Sequence, residues 1–261
     1  MIFTHEFLYV SLLFLGILAT FATAGLLLWL SSFSRFAPWF RSLSNFSPQV
    51  VAVVGILFAL YITFFASDIW NVRDRAQTAI VQEAQALRGL FRLAEQQPPA
   101  VGKPVLAAIR DYAQLTTEVE WPLLAYGQTS VQVLDGWRRL LGSVLAEPVA
   151  RGLPNSVHTV MLQEVDRVQI ARHQRLAQSQ KHGDPLKWFA VACLGALTML
   201  TIALVHLDNW RTQSMALLIY ASAISISFTA AYLQRSPFQV FVLSPQPIAE
   251  LITLESLLDR R

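Results

Sequence analysis

Four stretches of the chain are apolar over a length that can cross a lipid bilayer, which takes about 20 mostly apolar residues in a helix. Residues 7–30 carry no charge, residues 50–67 run apolar up to Asp68, and residues 188–207 and 215–233 follow near the C-terminus. Only a short link containing Asp208, Asn209 and Arg211 separates the last two, so they are expected to form a helical hairpin. The first run resembles a secretory signal in that Ala22-Thr23-Ala24 fits a cleavage site. Residues 1–6 hold no Lys or Arg, however, and the apolar run continues to Leu30, so the segment is read as a true span.

Residues 71–187 carry most of the charge and contain no apolar run of spanning length. Breakers divide this block into helical pieces. Between Ile56 and Gln97 the only Gly or Pro is Gly89, and Pro98-Pro99 closes the run, so the second span should extend as one helix well beyond the membrane. Further helices are expected over about residues 105–119, 129–147 and 155–180, separated by Trp121-Pro122 with Gly127 and then by Pro148, Gly152 and Pro154. No segment alternates with the two-residue period of a sheet. The expected fold is therefore all-α: four transmembrane helices and a helical cytoplasmic domain. Its expected division is 1–70 for the first two spans, 71–187 for the cytoplasmic domain, 188–234 for the last two spans and 235–261 for a cytoplasmic tail.

Lys and Arg near the span ends give the orientation. Arg73, Arg75, Arg88 and Arg92 follow the second span, and Arg172, Arg175, Lys181 and Lys187 precede the third, against Arg35, Arg41 and Arg211 in the opposite loops. The block and both termini are thus expected in the cytoplasm, with the spans in the plasma membrane (the inner membrane in a bacterial cell). Composition agrees: of 261 residues, 54% are hydrophobic and 14% charged, and the mean hydropathy is +0.44. A net charge of +3, spread along the chain, gives no footprint for nucleic acid.

Candidate chemistry is sparse. His5, His158, His173, His182 and His206 lack metal-ligand spacing, and no phosphate-cradling Gly loop or nucleophile elbow is present. Cys193 has no partner cysteine and reads as a small packed residue. Glu118 and Glu120, two apart on a helix, point to different faces and read as solvated or salt-bridged carboxylates. No enzyme activity, cofactor or metal is expected. Gly16, Thr20 and Ala24 in the first span, and Ser222, Ser225 and Thr229 in the fourth, supply small faces for close helix packing.

The second span and its continuation carry the most informative pattern. Tyr61, Thr63, Trp70 and Asn71 resemble without a gap the Tyr-x-Thr run and the Trp-Asn end of the pore helix in the bestrophins; Asp68 and Ile69 depart from it. Further motifs are similar to the bestrophin-like family of bacterial and plant membrane proteins: Ser67-Asp68-Ile69-Trp70 with Arg75-Ala76 and Glu83-Ala84, Asp111-Tyr112-Ala113, Glu120-Trp121-Pro122, and Arg235-Ser236-Pro237-Phe238. The resemblance covers roughly residues 48–245. It implies a homo-oligomeric ion channel, a pentamer as in the bestrophins, whose partners are copies of itself, membrane lipid and inorganic ions.

By that resemblance Ala52, Ile56 and Leu60 form an apolar pore neck. Thr63, Ser67, Asn71 and Asp74 continue the same helical stripe toward the cytoplasm as polar pore lining. Rings of apolar side chains can gate by dewetting, so such a neck needs no fixed charge. Asp68 lies off the stripe and is expected to pair with an Arg of its own helix or of a neighbouring subunit; Trp70 is likewise structural or inter-subunit. The acidic calcium-binding cluster that animal bestrophins carry after Pro-Phe has no counterpart, because no carboxylate follows Pro237-Phe238 before Glu250. From the residues alone a second class stays open: a non-conducting membrane scaffold or signalling adaptor that binds a partner through its cytoplasmic helices. A secondary transporter is a weaker third reading, since no inverted repeat or broken span is visible.

Overall fold

The structure, a computed structural model, describes residues 2–43, 47–180, 185–234, 237–238 and 243–258, with 2–9 and 254–258 as backbone only. Within these the chain is helical and without strands. Four helices are long and apolar enough to cross a membrane: α1 (Ile2–Ser32), α3 (Pro48–Glu95), α9 (Pro185–Val205) and α10 (Trp210–Leu233). The remaining elements are α2 (Ala37–Arg41), α4 (Pro99–Leu115), a π-helical turn (Thr116–Glu120), α5 (Trp121–Leu124), α6 (Val131–Leu145), α7 (Glu147–Gly152), α8 (Asn155–Ser179) and α11 (Gln246–Leu258). The all-α expectation with four spans holds.

Proline sets several of these boundaries, because its missing N–H costs nothing in a first helical turn: Pro48, Pro99 and Pro185 open α3, α4 and α9. The α3–α4 corner demands a glycine. A Cβ on Gly102 would lie 2.3 Å from the Ala94 carbonyl oxygen. At the bend after α5, Gly127 takes a φ of 67°, the left-handed region that only Gly enters freely.

Two compact units emerge. The first comprises Met1–Ile69 and Gly183–Arg235 and contains the four spanning segments; the second comprises Trp70–His182 and Ser236–Arg261. Helix α3, 48 residues long, contributes its first part to one and its second to the other. In the first unit α1 packs on α10 and α9. Gly16 allows the Phe228 ring of α10 to lie against α1, where any Cβ would clash at 2.6 Å. Gln213, fully buried, satisfies its amide within the unit: Nε2 donates to Ser31 Oγ and the Ala203 carbonyl, and Oε1 accepts from Ser32 Oγ. Asn209 caps α10 by accepting the Arg211 N–H, which closes the expected α9–α10 hairpin. Cys193 is exposed rather than packed, since it lies off the face through which α9 buries Val191, Gly195 and Met199.

The second unit builds its core from Ile80, Leu87 and Leu90 of α3 with Ile109 of α4, Leu140 of α6 and Val165 of α8, all essentially inaccessible. Two features lie beyond the expected helices. The C-terminal stretch, expected as a tail, carries α11, which packs on α4 through buried Ile248 and Leu251. The run expected at about 105–119 instead starts at Pro99 and ends in the π turn.

Candidate functional site

Helix α3 buries one side within each unit. Taking Ala52 as zero and about 100° per residue, Phe58, Phe65 and Ile69 fall near 240°, and all three are buried against partners that include Val191. Phe65 meets Trp188 edge to face, with ring centroids 4.7 Å apart. Within the second unit Ala76, Ile80, Glu83, Leu87 and Leu90 are each inaccessible.

Every residue of the expected pore stripe lies on the open side. Ile56 is 66% and Leu60 52% exposed, and Ala52, Thr63, Ser67, Asn71 and Asp74 are exposed with them. The seven fall within about 100° of one another. Thr63 Oγ1 donates to the Ala59 carbonyl at 2.7 Å, folding its polar atom back onto the helix. Trp70, at the azimuth of Ala52, is exposed on the same side.

Within the chain Asp68 pairs with Lys187 rather than with an Arg of α3: Lys187 Nζ, in the first turn of α9, donates to Asp68 Oδ2 at 2.6 Å. The reason is geometric. Asp68 sits about 100° from Ile69, the buried contact, and therefore at the margin of the packed face, within reach of a long side chain from α9.

A second site, which the sequence only hinted at, lies within the second unit. Glu83 of α3 accepts a bidentate pair from Arg175 of α8, Nε to Oε2 at 2.7 Å and Nη2 to Oε1 at 3.1 Å. Tyr112 of α4 donates its hydroxyl to Glu83 Oε1 at 2.6 Å. Arg175 Nη2 also donates to Glu120 Oε2 at 3.0 Å. Glu120 in turn accepts a second bidentate pair from Arg172 at 2.5 and 3.2 Å, and the Ser130 N–H at 3.3 Å. Glu83, Glu120, Tyr112 and Arg175 are all fully buried. Two acids and two bases cancel in charge, and bidentate geometry is the strongest form of Arg–carboxylate contact.

Thr116 and Glu120, four apart on the π turn, both face inward, while Glu118 stays exposed and accepts from Gln114. Burial alone would push the Glu120 carboxyl up, but the Arg172 hydrogen bonds and the Arg175 and Arg172 charges overcome this and hold it below its ordinary value. Burial, reinforced by the Glu83 charge, pushes the Tyr112 phenol well above its usual range. Burial works against the Arg175 guanidinium, yet Glu83 and Glu120 raise it further into the charged state. With every acid already committed to a cation, the cluster offers no free base for catalysis. Among the described residues no three His, Cys, Asp or Glu gather as a metal site.

A family model described as the Bestrophin-like domain matches residues 7–248. No curated protein matches the chain. Among solved structures, a variant of the bacterial bestrophin homologue from Klebsiella pneumoniae superposes with a TM-score of 0.71 at 11% identity, covering 96% of this chain and 97% of that one. A second variant of that homologue gives 0.66 at 12% identity, covering 95% and 98%. A crystal structure described only as a membrane protein gives 0.69 at 13% identity, covering 95% and 98%. At such identities the likeness establishes the fold.

Proposed function

Because the chain belongs to the bestrophin-like family, we propose that it is an ion channel, a closed ring of identical subunits, five as the resemblance implies. The α3 helix of each copy turns its open side to the central axis. Ala52, Ile56 and Leu60 ring the neck, and Thr63, Ser67, Asn71 and Asp74 line the wider passage beyond it. Residues 1–70 and 188–234 sit in the membrane, with 71–187 and 235–261 in the cytoplasm beside both termini. The chain conducts ions and does no covalent chemistry, and lipid bathes its outer faces.

One observation carries this reading. An amphipathic helix leaves a face open when something other than its own chain covers it, and on the open face of α3 the stripe passes from Ala52, Ile56 and Leu60 to Thr63, Ser67 and Asn71, with Phe64 and Trp70 exposed among them. Helices that met only lipid would stay apolar through the membrane and gain nothing from an aligned change to hydroxyls and amides. An apolar ring excludes water by dewetting, whereas Thr, Ser and Asn beyond it keep ions hydrated.

The test is mass measurement in nanodiscs followed by recording in planar bilayers. The reading expects a closed ring, of five copies, that carries single-channel currents. A folded monomer, or an assembly silent in all tested salts and voltages, would hand the function to the scaffold reading.

A further inference from the structure

We propose that the end of the first unit where α1 stops and α10 starts is a binding surface for anionic phospholipid, held by Arg35, Arg41 and Arg211; the inference rests on the four spans and not on the pore reading. These residues all belong to that unit. They gather where two spans end, α1 at Ser32 and α10 at Trp210. Phe33 and Trp210 join the two ends edge to face, with ring centroids 6.2 Å apart. Buried Ser34 fixes the short helix α2 beside them: its hydroxyl donates to the Leu30 carbonyl at 2.6 Å and accepts the Phe36 N–H at 3.0 Å. Ala37 is then buried, while Phe36 and Trp39 stay exposed. Exposed aromatic rings at span ends sit at the headgroup level of a bilayer, which brings the three arginines to the depth of lipid phosphates.

Charge then selects the lipid. Arg35, Arg41 and Arg211 are exposed, and none forms an ion pair among the described residues. Arg35 holds its guanidinium 5.2 Å from the centre of the Phe36 ring, and Arg211 holds its own 5.7 Å from that of Trp210. A guanidinium stacked on a ring uses its flat face and keeps its N–H edge free, the edge that meets phosphate oxygens in pairs. Arg41 closes α2. From Trp29 to Ser67 the sequence holds no acid, and the α9–α10 link holds a single one, Asp208. Three cations facing one anion, on a platform of rings, fit a phosphodiester headgroup with apolar chains beside it. An anionic headgroup fits better than a zwitterionic one, whose own ammonium would meet the same arginines.

The experiment is native mass spectrometry of the full-length protein in detergent, titrated with phosphatidylglycerol or with phosphatidylcholine of the same acyl chains. The unmodified protein should bind phosphatidylglycerol more tightly. Each Arg near an anionic lipid contributes about five-fold in affinity, so Arg35→Gln, Arg41→Gln and Arg211→Gln should each weaken phosphatidylglycerol binding by about that factor. The three together should bring the two lipids level, with phosphatidylcholine binding and the melting temperature unchanged. Lys at the same three positions should keep most of the preference, and Arg138→Gln, on the second unit, should keep all of it. Equal affinity of the unmodified protein for the two lipids overturns the inference, as does a preference that survives the triple Gln variant. Displacement of phosphatidylglycerol by millimolar glycerol phosphate also overturns it, because the ligand would then be a soluble phosphate rather than a lipid. Conductance is not read, so failure here leaves the pore reading standing, and a silent channel leaves this surface standing.

Discussion

Replacing Arg175 with Met tests the buried cluster, because it removes one side chain and strips two carboxylates. Glu83 would keep only the Tyr112 hydroxyl, and Glu120 would keep Arg172 and the Ser130 N–H. Both acids are fully buried, and removing one partner of a buried pair costs about 3–5 kcal/mol because a charge is left uncompensated. At about 2–4 °C per kcal/mol for a chain near this size, the apparent Tm should fall by roughly 6–20 °C. Arg139–Asp111 provides the control, a pair of similar length at 2.6 Å whose side chains are about half exposed. Arg139→Met should cost under about 1 kcal/mol. The assay is intrinsic-fluorescence melting in detergent, for which Trp121 and Trp137 are suited: one rests edge to face on Phe238 and the other donates to the Val165 carbonyl. Acid should mimic the lesion. Since the folded-state value of Glu120 is depressed, its stabilisation is present above the unfolded value, about pH 4.3, and is lost as pH falls through the folded one. If Arg175→Met melts no lower than Arg139→Met, the cluster does not hold the second unit together.

Lys187→Gln should shift the Tm by no more than about 2–4 °C, since a pair exposed to this degree contributes under about 1 kcal/mol; a large drop in the same melting assay would mean that other copies bury Asp68 in the assembly. Orientation can be read with single cysteines at Ser42 and Thr129, both exposed, in a Cys193→Ala background. An impermeant thiol reagent applied to intact cells should label only the first, and labelling of the second alone would invert the topology.

Much of this architecture was legible because membranes enforce it. Four apolar runs and a long unbroken stretch from Ile56 to Gln97 are read from hydropathy and breakers, and they correspond to α1, α3, α9 and α10. The stripe on α3 comes from the resemblance, and helical period places its seven positions within about 100° of one another on a continuous helix. The buried cluster was only half visible. Glu83, Tyr112 and Glu120 each stood in a family-like motif, but 29 residues separate Glu83 from Tyr112 in the chain, and no periodicity joins them. Arg172 and Arg175, three apart on a polar helix, look like a solvated face; only the tertiary fold turns them inward. The π turn has no local sequence rule, and α11 is hidden by the prolines at 245 and 247 that open it.

The neck is the point at which the account can be struck most directly. Ile56→Ala with Leu60→Ala removes several carbons per subunit from the proposed constriction, and Phe58→Ala with Phe65→Ala removes more from the buried side of the same helix, where exposure is 7% and 6%. In planar bilayers the first pair should raise resting conductance by weakening dewetting. The second should lower stability, each Phe→Ala costing about 3–5 kcal/mol in a packed site, while leaving conductance per channel near that of the unmodified protein. Unchanged conductance in Ile56→Ala, Leu60→Ala, with altered conductance in Phe58→Ala, Phe65→Ala, would place the pathway on the other side of α3 and contradict the account.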